Sequence, residues 1–317
     1  MTRARTSGVL ALIAASGLAL SGCAGGTADA EPADAAGAAT EITVTHAQGE
    51  TEVPVNPETV ITFDMASLDT LDTLGVEVQG VPKSNLPSYL EQYAGDDTID
   101  VGTLFEPDYE TVNAAEPDLI IVANRSAEAL PELSKIAPTI DLTLDWEHYL
   151  DSFRGNVETL AEIFELEDEA GAALADLDDK IAETKAAAAE AGNALILLTS
   201  GGELTAFGPG SRFGWLHDEL GVTPAIEDVE AATHGDPVSN EFVLQTNPDM
   251  LFVVDRDAAT GEGTQTAEQI LDNEVIAQTS AWSEGKVTYL DPEPWYIVMS
   301  GLTAVDLMVD QVRGAVS

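Results

Sequence analysis

Two stretches, "PDLIIVANR" (residues 117–125) and "PDMLFVVDR" (residues 248–256), decide how this chain is read. Each is an apolar run, Leu119 to Val122 or Leu251 to Val254, short and rich in β-branched residues, as expected of a strand buried on both faces of a parallel sheet. Each ends in an arginine, although the 317-residue chain carries a formal charge of −45. A residue just past such a strand stands at the carboxyl rim of the sheet, where ligands of open α/β folds bind. The likeness extends upstream without a gap, "DYETVNAAEPDLIIVANR" (108–125) lying over "SNEFVLQTNPDMLFVVDR" (239–256). Glu110 and Glu241 fall at matching places, as do Arg125 and Arg256. The pattern predicts a tandem of two related lobes, each with a helix, a tight turn and a buried strand; chance likeness between two ordinary α/β units is the plainer alternative.

The stretches between them fit that scheme. Residues 41–166 alternate short β-like runs with helix-like segments, which predicts an α/β lobe with a largely parallel sheet. Residues 167–192 contain no proline and are rich in Ala, Glu, Lys and Leu, with Leu174, Leu177 and Ile181 on one stripe. A helix there would run roughly 37 Å, long enough to bridge two lobes while allowing only a small hinge motion. Residues 193–317 form a second α/β lobe ending in a helix, "SGLTAVDLMVDQVRGAV". The expected fold class is α/β, two Rossmann-like lobes bridged by one long helix with a ligand cleft between them.

The N-terminus reads as an address. Arg3 and Arg5 precede the apolar run "GVLALIAASGLAL", and "LSGC" follows. Leu20 to Cys23 resembles a bacterial lipobox, which implies that residues 1–22 are a signal peptide and that Cys23, the only cysteine, carries lipid. Residues 23–40, small and acidic, read as a lipidated flexible tether. The expected location is the extracytoplasmic face of the cell membrane. Nucleic-acid binding is excluded by the acidity and by the want of any basic patch. An anionic ligand would be repelled overall, so local cations must catch it.

Four segments place such groups at loop positions. "TAFGPGSRFGWLHDELG" (205–221) carries Arg212 on a Gly/Pro turn. "ATHGDPVSNE" (232–241) carries His234, "FVVDRDAATG" (252–261) carries Arg256, and "YLDPEPWYIVMSG" (289–301) carries Trp295 and Tyr296. Singly, each has a bland reading: a surface ion pair worth about 0–1 kcal/mol, a solvated histidine, a core aromatic pair. Together with Arg125 they share one rim. Planar guanidiniums suit a flat, oxygen-rich anion, and an imidazole with a phenol oxygen could complete the coordination of Fe(III). Ferric catecholates answer both demands, and with three catecholates bound the complex carries a charge of roughly −3 that three arginines could offset.

On "AFGPGSRFGWLHDELG", "THG", "LFVVDRD", "LDNE" and "WY", with "SLDTLDTLGV" and "VPKSNLPSYL" in the first lobe, the chain resembles the siderophore-binding lipoproteins of ABC iron importers, class III binding proteins of the petrobactin/enterobactin type. The resemblance implies that Arg125, Arg212 and Arg256 bind catecholate oxygens. It implies that His234 and Tyr296 reach Fe(III) when a siderophore leaves two positions open, and that Trp295 and Lys83 wall the pocket. It also implies that Glu110 and Glu241 dock on a permease, although an acid in a helix's first turn needs no further reason than the helix dipole. The expected partners are a ferric siderophore, an ABC permease with its ATPase, and the membrane through Cys23; a monomer is expected, with no tightly bound cofactor. Haem, cobalamin or a hydroxamate siderophore in the same fold is the alternative. An enzyme is not expected: the glycines of "GPGSRFG" run one residue longer than the dinucleotide fingerprint, and no nucleophile elbow is present.

Overall fold

The run Leu119–Val122 is a strand with no exposed side chain, and its residues point alternately into two different cores. Leu119 and Ile121 join one, Ile120 and Val122 the other, as the two-residue period of a strand requires. Met250, Phe252 and Val254 divide from Leu251 and Val253 in the same way. The computed structural model describes residues 40–84, 86–226 and 235–317, all within one compact unit, Ala39–Ser317. Cys23, the signal peptide and nearly all of the tether, together with His234, lie outside the described residues.

The strands are β1 (Glu41–His46), β2 (Gly49–Pro54), β3 (Val60–Thr62), β4 (Gly80–Val81), β5 (Ile99–Asp100), β6 (Leu119–Val122), β7 (Thr139–Asp141), β8 (Asn193–Ser200), β9 (Glu203–Phe207), β10 (Thr223–Pro224), β11 (Asp236–Val238), β12 (Met250–Asp255) and β13 (Val287–Leu290). β1 and β2 form an antiparallel hairpin. The first main sheet is parallel throughout, in the order β5-β4-β3-β6-β7. The second has the order β11-β9-β8-β12-β13, with β10 alongside β8. It is mixed: β8 and β9 join through Gly201 and Gly202, both at positive φ, and run antiparallel. A Gly-Gly pair is suited to so tight a hairpin because it accepts left-handed backbone without Cβ strain.

The internal likeness holds at single residues. Asp108 and Ser239 cap the two equivalent helices, Tyr109–Ala114 and Asn240–Thr246. Glu116 and Asn247, which match in the alignment, both take positive φ before their prolines. The following aspartates do the same work: Asp118 accepts from Glu58 N and Thr59 N at 3.0 and 2.8 Å, and Asp249 accepts from Asn193 N at 3.0 Å. Each carboxylate thereby ties its own strand to the start of the neighbouring one.

The bridging helix, Glu167–Ala188, is 22 residues long, about 33 Å at 1.5 Å per residue. It ends four residues before the sequence reading places it, and buries Ala170, Leu174, Leu177, Ile181, Thr184 and Ala188 along one stripe. The C-terminal helix Leu302–Val316 packs along it and also against the first-lobe helix Met65–Thr73. Lys180 reaches Asp306 and Asp310 at 2.5 and 3.2 Å across that contact. Inner faces of both sheets therefore share one continuous core with these helices. Among the described residues no helix is long and apolar enough to cross a membrane.

Asp69 fixes the C-terminal helix to the first lobe. Gly301, at φ 109°, leaves the helix start without a cap of its own. Asp69, buried in Met65–Thr73, accepts instead from Thr303 N at 2.8 Å and Ala304 N at 3.0 Å, and from the Tyr89 hydroxyl at 2.9 Å. A Cβ on Gly301 would lie 2.7 Å from the Asp69 carboxylate and 2.9 Å from Ala66 O, so Gly301→Ala is expected to cost at least 1–3 kcal/mol in thermal or urea unfolding. Burial pushes the Asp69 carboxyl up to about 7 despite those hydrogen bonds. The folded state then holds its proton to higher pH than the unfolded chain, so ionisation erodes stability as pH rises from about 4 to about 7. The Tm of Asp69→Asn should accordingly gain on that of wild type across this window; a constant difference from pH 4 to 8 would refute the shifted carboxyl.

Candidate functional site

The segment Glu293–Val298 is a turn of π-helix entered through two prolines, and Met299 ends it at φ 65°. Such wide turns are rare and recur at functional sites. Here it sends two adjacent aromatic side chains apart. Trp295 goes into the core, 1% exposed, stacked on Trp215 at 5.4 Å between ring centroids, with Nε1 donating to Gln311 Oε1 at 2.8 Å. Trp215 in turn stacks on Tyr149 at 4.7 Å. The expectation that Trp295 walls the pocket is thus corrected: it anchors the turn from behind.

Tyr296 turns the other way, and three arginines converge on it. The Arg125 guanidinium lies 5.5 Å from the ring centroid and that of Arg212 lies 4.8 Å from it. Arg256 Nε donates to the Tyr296 hydroxyl at 3.0 Å. Arg125 comes from the first lobe, just past β6, and also donates to the carbonyls of Tyr296 and Ile297 at 2.7 and 3.1 Å. Arg212 is delivered by the "FGPGSRFG" turn, where Ser211 bonds Gly208 O at 2.6 Å, and it rests over Phe213 at 4.6 Å. A Cβ at Gly214 would sit 2.4 Å from Gly208 O, so glycine is required for that turn to close.

Arg125 and Arg212 are half-buried cations with little to oppose them. Among the described residues neither has a carboxylate within 4 Å, and Arg212 Nε has no hydrogen-bond partner although it is shielded from solvent. Both meet the Met299 thioether, at 3.8 and 3.2 Å, which is a weak acceptor. Burial pulls the Arg125 guanidinium below its ordinary value, against the attraction of Tyr296 and Asp64. Burial, reinforced by repulsion from Arg125, pulls Arg212 down to about 10. Asp64, half-buried, caps the helix Met65–Thr73 by accepting from Ser67 N at 2.8 Å, and desolvation pushes its carboxyl up.

Arg256 is the accessible member. It reaches Ser200 at 3.3 Å and, more loosely, Asp257 and Glu262 at 3.8 and 3.5 Å. Its pKa is raised, chiefly by the hydrogen bond to Tyr296. An open depression of about 320 Å³ lies beside it, lined by Ser200, Gly201, Gly202, Gly263, Thr264 and Gln265 among others. Lys83, two residues past β4, donates to Gly95 O at 2.6 Å and so braces its own loop. The structure brings together four of the residues singled out in the sequence, Arg125, Arg212, Arg256 and Tyr296. Met299, Ser200 and Asp64 join them without any signal that marks them in the sequence. Glu110 and Glu241 stand exposed in the first turns of their helices.

The chain was compared with known proteins. The family model described as periplasmic binding protein matches residues 60–294. The petrobactin-binding protein YclQ of Bacillus subtilis (strain 168) is 43% identical over 278 residues, 86% of this chain and 87% of the relative. The ferric-anguibactin-binding protein FatB of Vibrio anguillarum is 35% identical over 280 residues, with 86% and 87% covered. The crystal structure of YclQ superposes with a TM-score of 0.85 over 87% of this chain and 99% of that one. That of the periplasmic catecholate-siderophore binding protein VctP of Vibrio cholerae, 32% identical, does so with 0.82 over 86% and 99%.

A partly dehydrated charge without a counter-charge is costly, and a well-fitting apolar replacement removes the cost. Arg212→Met is therefore expected to raise the Tm of the ligand-free protein, read by differential scanning calorimetry; a fall of several degrees would show that Arg212 is held by favourable contacts.

Proposed function

We propose a function from the premise that those comparisons establish: this chain belongs to the periplasmic binding protein family. It is an extracytoplasmic binding protein that captures ferric catecholate-type siderophores and hands them to an ABC permease for iron uptake. One observation carries the reading. Three guanidiniums gather on one phenol, two of them half-buried and without carboxylates. An iron complex of catecholates, built of flat, oxygen-rich rings and charged about −3, supplies what those donors lack, by charge-assisted hydrogen bonds. The names of the relatives agree, two of them binding petrobactin and ferric anguibactin and a third catecholate siderophores.

In this reading Arg256 and Arg212 contact ligand oxygens. Arg125, whose terminal nitrogens already serve two carbonyls, sets the position of Tyr296 and adds its charge. Tyr296, with His234 from outside the described residues, offers oxygen and nitrogen to an iron left partly open by its siderophore. Lys83, on the same rim of the first sheet, extends the cationic edge. The two lobes, residues 41–166 and 193–317, close on the ligand about the bridging helix, and lipid on Cys23 holds the protein at the membrane. Glu110 and Glu241, one on each lobe, meet basic residues of the permease.

Removing one charge-assisted contact costs roughly 1.5–3 kcal/mol, or about 10- to 100-fold in Kd. Arg256→Ala and Arg212→Ala are expected to weaken binding of a ferric tricatecholate by that factor in equilibrium titrations. Unchanged affinity in both would overturn the site. Reversing the charge of both Glu110 and Glu241 should leave that affinity intact and abolish iron uptake by cells; lost affinity would remove them from the docking role.

A further inference from the structure

The loop between β5 and the helix Tyr109–Ala114 displays the most exposed of the large apolar side chains among the described residues, Phe105 at 73% exposure, with Tyr109 at 40% close behind. This exposure is built. Thr103 N donates to Glu106 O at 3.1 Å, and the Thr103 hydroxyl accepts from Phe105 N and Glu106 N at 3.3 and 2.9 Å. Asp108 N bonds Val101 O at 2.8 Å, and Gly102, at φ 101°, admits a close crossing that any Cβ would block, 2.6 Å from Glu106 O. Leu104 is the inward anchor, packed on the core and lining a small recess with Asp64 and Arg125. The turn is therefore stapled, and it holds Phe105 in water rather than letting it fold back. A large ring kept exposed on a rigid tip is a cost that a partner can recover.

The surroundings say which kind of partner. Glu106, Asp108 and Glu110 are exposed around the tip, and among the described residues neither Glu106 nor Glu110 is in an ion pair. These acids repel an anionic ligand and anionic lipid headgroups alike. They suit a protein surface with an apolar recess rimmed by Arg or Lys. We propose that the tip Leu104–Glu110 is a docking surface for such a basic, membrane-embedded partner, with Phe105 as its aromatic anchor. The inference rests on the permease reading above and deepens it. The second lobe repeats Glu241 but not the anchor, because the register of the repeat places Asp236 and Asn240 opposite Phe105 and Tyr109. The two docking edges are thus unlike. Phe105 marks one of them.

The test uses the full lipidated chain in cells. A photoreactive phenylalanine analogue at position 105 should crosslink, on illumination, to a polytopic permease subunit identified by mass spectrometry, and Glu110→Arg should weaken that product. The same analogue at position 307, where Leu307 is 38% exposed, should give no such product. In parallel, Phe105→Ser should keep its Tm and bind a ferric tricatecholate within twofold of wild type while iron uptake falls at least tenfold. Crosslinking at 105 to lipid alone, or to nothing, overturns the proposal, as does a tenfold loss of ligand affinity in Phe105→Ser. If wild type binds no ferric catecholate yet position 105 crosslinks to a permease, the ligand reading fails and the docking surface stands.

Discussion

Two guanidiniums drawn partly out of water on one tyrosine ring are the constraint around which this molecule is arranged. A charge that loses part of its hydration without gaining a counter-charge is costly for a fold to hold. Arg125 and Arg212 are kept there by contributions from both lobes: β6 delivers one, the "FGPGSRFG" turn the other, and the wide turn Glu293–Val298 sets Tyr296 between them. The rest of the interlobe contact serves that turn. Trp295 pins it from the core, Tyr149 donates to Met299 O at 2.8 Å, and Ser88 of the first lobe bonds Glu293 at 2.7 Å. Asp69 then fastens the helix that follows. Cation binding groups and lobe arrangement are consequently one structure, and a ligand that engages the arginines acts on the segment joining the lobes.

The pseudo-repeat sets opposite charges at matching places in each half. Carboxyl ends of β6 and β12 carry the arginines, while the helices before those strands carry the acids Glu110 and Glu241 at their N-termini. Positive charge is thus collected locally inside a chain whose net charge is strongly negative, and the surplus of acid is left on the outside. Screening confines the reach of each exposed group to about 8 Å at physiological salt, so the arginines keep a positive neighbourhood of their own.

Much of this was legible in the sequence because it follows from periodicity and punctuation. Buried strands, the N-caps at Asp108 and Ser239, and the stripe on the bridging helix all announce themselves in residue type and spacing. What was not legible depends on direction. Trp295 and Tyr296 are neighbours, and only the π-helical turn decides which faces the core. The C-terminal helix reads as part of the second lobe by its position in the chain, but its apolar face packs on the first-lobe helix Met65–Thr73 too, a long-range contact that no local pattern encodes. The antiparallel β8–β9 hairpin had its signal in Gly201-Gly202, which the alternation of strand and helix elsewhere obscured. Met299 carries no signal at all: its role comes from a left-handed backbone and two arginines arriving from distant segments.

The most direct test of the central claim is an equilibrium titration of the lipid-free mature protein, followed by tryptophan fluorescence, against ferric tricatecholate, ferric hydroxamate and haem at equal concentrations. Trp295 adjoins Tyr296 in the chain and reports on the turn. The account predicts saturable quenching by the catecholate complex at concentrations at least tenfold below those needed for the nearly neutral hydroxamate. Equal or tighter binding of the hydroxamate or of haem would show that the half-buried guanidiniums do not select the anionic complex, and would contradict it.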